Sequence, residues 1–178
     1  MRSFLTKQFD TRFSFIPRVD GTLLPDEPFK SIQNGAYLKI PLIAGYNSKD
    51  PGFLKNSTIS SLENMSGHPS YLYEFIYKKN LFDIFFSGSH AVERPFVFDT
   101  LNEYVIFYNK IALYNESDSK EAQPFIDQFQ SYWANFAKTG NPNGVDLNDT
   151  LLPQWPLFQE KEGRHYLYIS NEIRSEQL

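Results

Sequence analysis

Cysteine is absent from the 178 residues. That excludes disulfide frameworks, thiolate zinc sites, iron–sulfur centres and a cysteine nucleophile. An excess of positive charge is missing too. Lys and Arg total 17 against 21 Asp and Glu, a formal charge of −4. A partner held by phosphate neutralisation, nucleic acid above all, is therefore not expected. The longest apolar stretch, residues 40–46, is far too short to span a bilayer. Met1 to Lys7 reaches a lysine before any long apolar core forms, so no signal peptide is expected. The three histidines, His68, His90 and His165, never fall three or four residues apart. His90-x-x-Glu93 alone makes no metal box, and neither a metal nor a cofactor is expected.

What the chain has in quantity is rings. Seventeen Phe, 11 Tyr and 2 Trp make up 17% of it, more than a single domain leaves in water, so many must be buried or docked. A content of 41% hydrophobic and 21% charged residues is globular, and the length suits one domain. Asn56, Asn64, Asn115 and Asn148 open Asn-x-Ser/Thr acceptors, four where composition alone yields about 1.7. That excess leans towards a secreted glycoprotein.

The pattern along the chain reads as α/β. Phe13 to Val19 suits an edge or extended segment interrupted by Pro17. Asp20-Gly21 is a turn, and Pro25 and Pro28 bracket an irregular stretch. Residues 39–46 are apolar on both faces, as in a central parallel strand, and Asn47 to Pro51 form a polar turn past its C-terminal end. In open α/β sheets functional residues gather at that end. Residues 56–70, rich in Ser, Asn, Gly and Pro, read as a loop. Tyr71 to Tyr77 is a strong aromatic strand. The spacing of Phe98, Leu101, Val105, Tyr108 and Ala112 predicts a helix within 96–113. A second helix opens with Asp118 and Glu121 as a capping box. It carries Phe125, Phe129, Trp133, Phe136 and Ala137 on one buried stripe, and stops at Gly140. His165 to Ile169 is the final strand. A sheet this small leaves a large apolar face without evident cover.

Two residues stand out for chemistry. Asp50 follows the apolar strand, and His90 sits in the later turn Ser87-Gly88-Ser89-His90. An acid after a strand and a later histidine are the second and third members of a Ser, acid, His triad in α/β-hydrolase order. There the acid orients the imidazole, which takes the serine proton near neutral pH. A loop histidine and a turn aspartate with no partnership give the same spacing. His68 beside Pro69 reads as a surface residue, and His165 as structural.

Four stretches together resemble the C-terminal portion of the type-B carboxylesterase family, which includes cholinesterases and related lipases. They are residues 15–26 with Pro17-Arg18-Val19-Asp20-Gly21, residues 40–47, residues 88–98 around His90, and residues 133–143 with Trp155-Pro156 beyond. The match is strongest over 13–170. The resemblance implies the C-terminal part of an α/β-hydrolase fold, with a partial, mostly parallel sheet under packed helices and all of 1–178 in that portion. It places His90 at the catalytic histidine and Asp50 at the catalytic acid. The family pattern is Gly-x-Asn-x-Asp-Glu-Gly. Counted from Gly45 without gaps, its glutamate falls on Asp50 and its last glycine on Pro51; a one-residue insertion would instead put Pro51 at the acid. The nucleophile is not here. Only Gly140 and Gly144 lie four apart, around Pro142, and no two glycines are adjacent. Gly-x-Ser-x-Gly and a Gly-Gly oxyanion loop are therefore both lacking. Asp50 and His90 are also only 40 residues apart, where the family carries a longer, helix-rich insert.

The expected function is that of a C-terminal piece of a serine carboxylesterase, carrying acid and base without the serine and inactive by itself. Its expected partners are a small-molecule ester in the complete enzyme and the nucleophile-bearing part of the same fold. The alternatives are a non-catalytic binding or adhesion module on the same fold and an aromatic-rich α/β domain with no surviving function.

Overall fold

Within residues 39–178 the aromatic run at 71–77 is the hydrophobic axis of the core. The computed structural model describes residues 18–78, 87–101, 105–106, 111–112, 116–158 and 163–178. The chain divides into two units, Met1–Leu38 and Lys39–Leu178. In the first, Asp20 Oδ1 accepts hydrogen bonds from the backbone of Thr22 and Leu24, which builds the turn expected there. The stretch between Pro25 and Pro28 is irregular as expected, and a short helix that was not foreseen, α1 (Pro28–Gln33), follows it, with Pro28 in its first turn, where a missing N–H costs nothing. Phe13 to Pro17 of the expected edge segment lie outside the described residues, and Arg18 and Val19 are not in a strand.

The second unit holds β1 (Leu42–Asn47), α2 (Gly52–Asn64), β2 (Ser70–Phe75), α3 (Arg94–Val97), β3 (Val105–Ile106), β4 (Ile111–Ala112), α4 (Glu116–Thr139), β5 (His165–Ile169) and β6 (Ile173–Gln177). The main sheet has the order β1-β2-β5-β6, with β1, β2 and β5 parallel and β6 antiparallel to β5. The α/β class with a partial mixed sheet is the architecture expected. Among the described residues β1 pairs with β2 alone and stands at an edge of the sheet, where its apolar composition suggested a central strand, and its first four residues are only partly buried. β2 is central instead.

Three other expectations fail for local reasons. Residues 56–64 of the expected loop belong to helix α2, and only 65–69 are irregular. Ser57, Thr58 and Asn64, read as loop formers, donate to carbonyls one turn back, those of Phe53, Leu54 and Ser60. Among the described residues the helix expected in 96–113 exists only as one turn, and Tyr108 of its spacing lies outside them. Asp99 takes φ +52°, Thr100 N–H closes on Pro95 O at 2.9 Å, and further on the β-branched Val105-Ile106 pairs with Ile111-Ala112. The second helix is real but starts by Glu116, so Asp118 is a first-turn acid and not the cap. Gly140, at φ +74°, ends it as expected. β6 was not foreseen.

Even-numbered and odd-numbered strand positions separate the two faces. Tyr71, Tyr73 and Phe75 of β2 point with Leu167 and Ile169 of β5 towards α4, where Ile126, Phe129 and Tyr132 are fully buried. Phe75 and Phe129 stack at 5.5 Å, and Phe125 packs on Tyr77 at 5.0 Å. Leu72 and Tyr166 face the other way with Tyr46 and Leu62. Trp155, from an irregular segment, is the ring on which the α4 face closes. It is fully buried, lies edge-on to Tyr71, Tyr73 and Tyr132, and donates Nε1–H to Leu72 O at 2.8 Å. Trp133, expected as the buried anchor, is only half-buried against Phe129, Tyr73 and Trp155.

Truncating Trp155 to Ala should therefore cost about 3–5 kcal/mol, and Trp133→Ala less, in urea denaturation of the two variants. A second expectation concerns alkaline pH. Burial pushes the Tyr132 hydroxyl above its ordinary range, and it donates to Pro153 O at 2.7 Å. The unfolded chain releases that proton near pH 10 while the folded chain holds it, so stability falls as pH rises past about 10. Tyr132→Phe should flatten that limb of the urea-midpoint profile.

Candidate active site

β1 and β2 run parallel and in register from Leu42↔Ser70 to Asn47↔Phe75, so both reach the same sheet edge together. The chain leaving β1 is a four-residue turn into α2, which Pro51 opens with φ −50° and ψ 135°. Asp50 is the last residue of that turn. Its backbone N–H closes on Asn47 O at 2.9 Å, and its carboxylate Oδ2 accepts the Asn47 N–H at 2.8 Å. Two bonds between the same residues, in opposite directions, fix which way the carboxylate faces. Its side chain is only 6% exposed.

The segment beyond β2 brings the histidine. Ser87 is buried, and its hydroxyl donates to Tyr77 O at 2.6 Å. Gly88 takes φ +71°, and a Cβ there would lie 2.1 Å from Ser48 Oγ. Glycine is thus needed both for the left-handed turn and for the close approach of the two loops. Lys49 N–H donates to Gly88 O at 2.8 Å, and Ser48 N–H to Phe75 O at 3.0 Å. His90 follows, and Ala91 is held at φ +66°, a conformation costing an L-residue about 1–2 kcal/mol. Strain stored next to an exposed histidine is a mark of a constrained site.

The two loops bring together the residues singled out for chemistry. His90 Nδ1 lies 2.8 Å from Asp50 Oδ1. An unprotonated carboxylate can only accept, so Nδ1 carries the proton, and in the neutral ring Nε2, across from it, keeps its lone pair. The His90 side chain is 72% exposed, so that lone pair faces open space and no described residue bonds it. Glu93, not singled out beforehand, accepts from Asn47 Nδ2, whose other hydrogen bond goes to Ser89 O at 2.8 Å. The Tyr73 hydroxyl is pushed above its ordinary range, first by burial and then by the negative charges of Glu93 and Asp50, which both bear on it. Asn47 was readable only as one letter of the turn motif; nothing in its spacing marked it as buried.

The other histidines stay apart from this pair. His68 is half-buried and not on the surface, with Nδ1 3.2 Å from Ser70 Oγ; His165 opens β5 as expected. Among the described residues no group of three or more His, Asp or Glu is placed to hold a metal. No helix among them is long and apolar enough to cross a membrane.

The fold has known counterparts. The carboxylesterase family model matches residues 52–178, which includes His90 and begins two residues after Asp50. The chain belongs to that family. It is 33% identical to mouse carboxylesterase 5A over an alignment covering 61% of this chain and 17% of that protein. It is 27% identical to the para-nitrobenzyl esterase of Bacillus subtilis (strain 168), covering 91% of this chain and 40% of that one. In structure it is similar to the Geobacillus stearothermophilus carboxylesterase EST55, with a TM-score of 0.64 at 20% identity over 96% of this chain and 43% of that chain. The fold is thus that of the α/β-hydrolase carboxylesterases. The chain spans less than half the length of each of these relatives.

The loop geometry carries its own test. Gly88→Ala should cost about 1–2 kcal/mol from backbone conformation, with the contact against Ser48 added. Ala91→Gly, which relieves the same strain, should leave stability unchanged or higher. The urea midpoint should therefore fall in Gly88→Ala and not fall in Ala91→Gly.

Proposed function

We propose that the chain supplies the acid and the base of a serine-esterase triad that acts on small carboxylic esters. His90 is the general base and Asp50 the acid that orients it, within the C-terminal portion of a carboxylesterase domain. The observation that carries this reading is the 2.8 Å contact between Asp50 Oδ1 and His90 Nδ1, with the opposite ring nitrogen open. In such a triad Nε2 takes the proton of a serine hydroxyl as its oxygen bonds the ester carbonyl carbon. It then returns that proton to the departing alcohol, and the acyl-serine is hydrolysed by water activated in the same way. Asp50 keeps Nε2 unprotonated in the resting state and stabilises the imidazolium formed in between. The sequence has no Gly-x-Ser-x-Gly. The serine and the oxyanion donors therefore come, in this reading, from the part of the fold the chain does not span. The binding-module alternative requires no such pairing of acid and base, and no observation favours it.

A secretory route belongs to the same reading. It is supported by the four Asn-x-Ser/Thr acceptors, of which Asn56, Asn64 and Asn148 are exposed while Asn115 lies outside the described residues.

Two outcomes are expected. The chain alone should hydrolyse an activated aryl ester no faster than free imidazole and should take up no organophosphate-type serine reagent, read by intact-mass spectrometry. Joined to a nucleophile-bearing portion of the fold, it should gain saturable activity that His90→Ala abolishes. Stoichiometric labelling of a serine in the chain alone, Ser87 or Ser89 first, would contradict the proposal.

A further inference from the structure

The acid and the base of the candidate site sit on separate loops, and His90 is mostly exposed. One hydrogen bond between an exposed ring and a carboxylate is a weak tether, because water competes for both partners. Something else must hold the loops in register, and one side chain touches both. Asn47, 3% exposed, ends β1. Its backbone N–H holds Asp50 Oδ2 at 2.8 Å, which turns the other carboxylate oxygen towards His90. Its side-chain amide has two hydrogens and two acceptors: Ser89 O, the carbonyl just before His90, and Glu93 Oε2, three residues after it. The amide cannot be reversed, since Oδ1 would then face a carbonyl and a carboxylate, both acceptors. The histidine is thus gripped on either side along the chain by the residue that also aims the acid.

We infer that Asn47 is a positioning residue of the Asp50–His90 pair, and that Glu93 is its anchor on the histidine loop. The inference rests on the proposed function for its meaning, but not for its geometry. Substituting Asn47 by Ala leaves the backbone N–H on Asp50 in place and removes only the grip on residues 89 and 93. The histidine loop then drifts, the Asp50 carboxylate no longer selects the Nδ1–H form, and His90 relaxes towards the Nε2–H form that free histidine prefers. Glu93→Ala removes one of the two acceptors and should give an intermediate result. Glu93→Gln retains an amide oxygen to accept from Asn47 Nδ2 and should behave as the wild type.

The experiment is long-range proton–nitrogen NMR on the full chain with ¹⁵N-labelled histidine, above the imidazole titration range. Thermal melts of every variant run beside it. In the wild type, His90 should show one protonated nitrogen, Nδ1. In Asn47→Ala that pattern should be lost, while far-ultraviolet circular dichroism stays that of the wild type. Glu93→Gln should restore the wild-type pattern that Glu93→Ala weakens. If Asn47→Ala unfolds, the two Glu93 variants still decide: identical tautomer patterns in both would overturn the inference. Retention of the Nδ1–H form in a folded Asn47→Ala would overturn it too. A wild type that lacks the Nδ1–H form would strike at the Asp50–His90 pairing and hence at the proposed function. A wild type that shows it, with variants that keep it, would remove only the role of Asn47.

Discussion

The parallel, in-register pairing of β1 with β2 is the constraint on which the rest depends. Parallel strands that end at the same level send their following loops out side by side. Here one loop is the Asn47–Pro51 turn and the other is the Ser87–Glu93 segment. Four interactions then bind them: Lys49 N–H to Gly88 O, Asn47 Nδ2 to Ser89 O and to Glu93 Oε2, and Asp50 to His90. A slip of one residue in the β1–β2 register would move each turn by about 3.3 Å and turn β1 over. Tyr46 would then face α4 in place of Gly45. That is not tolerable, because the Tyr73 ring lies directly on Gly45, where even a Cβ would come within 2.2 Å. A glycine in the strand and a tyrosine beside it thus fix the register that sets the site.

The aromatic surplus serves that same arrangement. Tyr73, Trp133 and Trp155 pack edge to face on the α4 side of the sheet, and Phe75, Phe96 and Phe125 continue the cluster towards the histidine loop. Phe96 belongs to α3, three residues beyond Glu93, so the segment that carries His90 is anchored in the ring cluster at its far end. Edge-to-face packing supports directional contact beyond area burial.

What the sequence revealed and what it hid follow from the same physics. Strand β2 was legible because an aromatic and β-branched run suits a strand, but the stripe of α4 was legible only in part: Phe129 is fully buried, while Phe125, Trp133 and Phe136 are half-buried, Ala137 is exposed, and Ile126 and Tyr132 hold the deepest places. His90 and Asp50 were legible because a motif carried them, though the partnership of the two could be read only as one of two alternatives. Helix α2 was hidden because its Ser, Thr and Asn side chains bond backward onto their own helix, which composition cannot show. The stretch after α3 was misread because phenylalanine, valine and isoleucine at helical spacing also suit short strands. Strand β6 was hidden because Ile173 is its only apolar residue, and its side-chain links to β5, Glu176 to Tyr166 and Arg174 over Tyr168, are tertiary facts. Asn47 was hidden because burial of a polar side chain is a tertiary fact: a turn asparagine reads as solvent-facing until its partners are known.

The central claim is that Asp50 is the acid that serves His90. It is tested most directly by Asp50→Asn in the chain joined to a nucleophile-bearing portion of the fold, with turnover of a small carboxylic ester as the readout. An amide at that position preserves shape but donates towards Nδ1, which selects the wrong tautomer, so kcat should fall by about 10⁴-fold with little change in folding. Full activity in Asp50→Asn would contradict the account, because it would place the acid elsewhere and leave His90 without the partner on which the site is built.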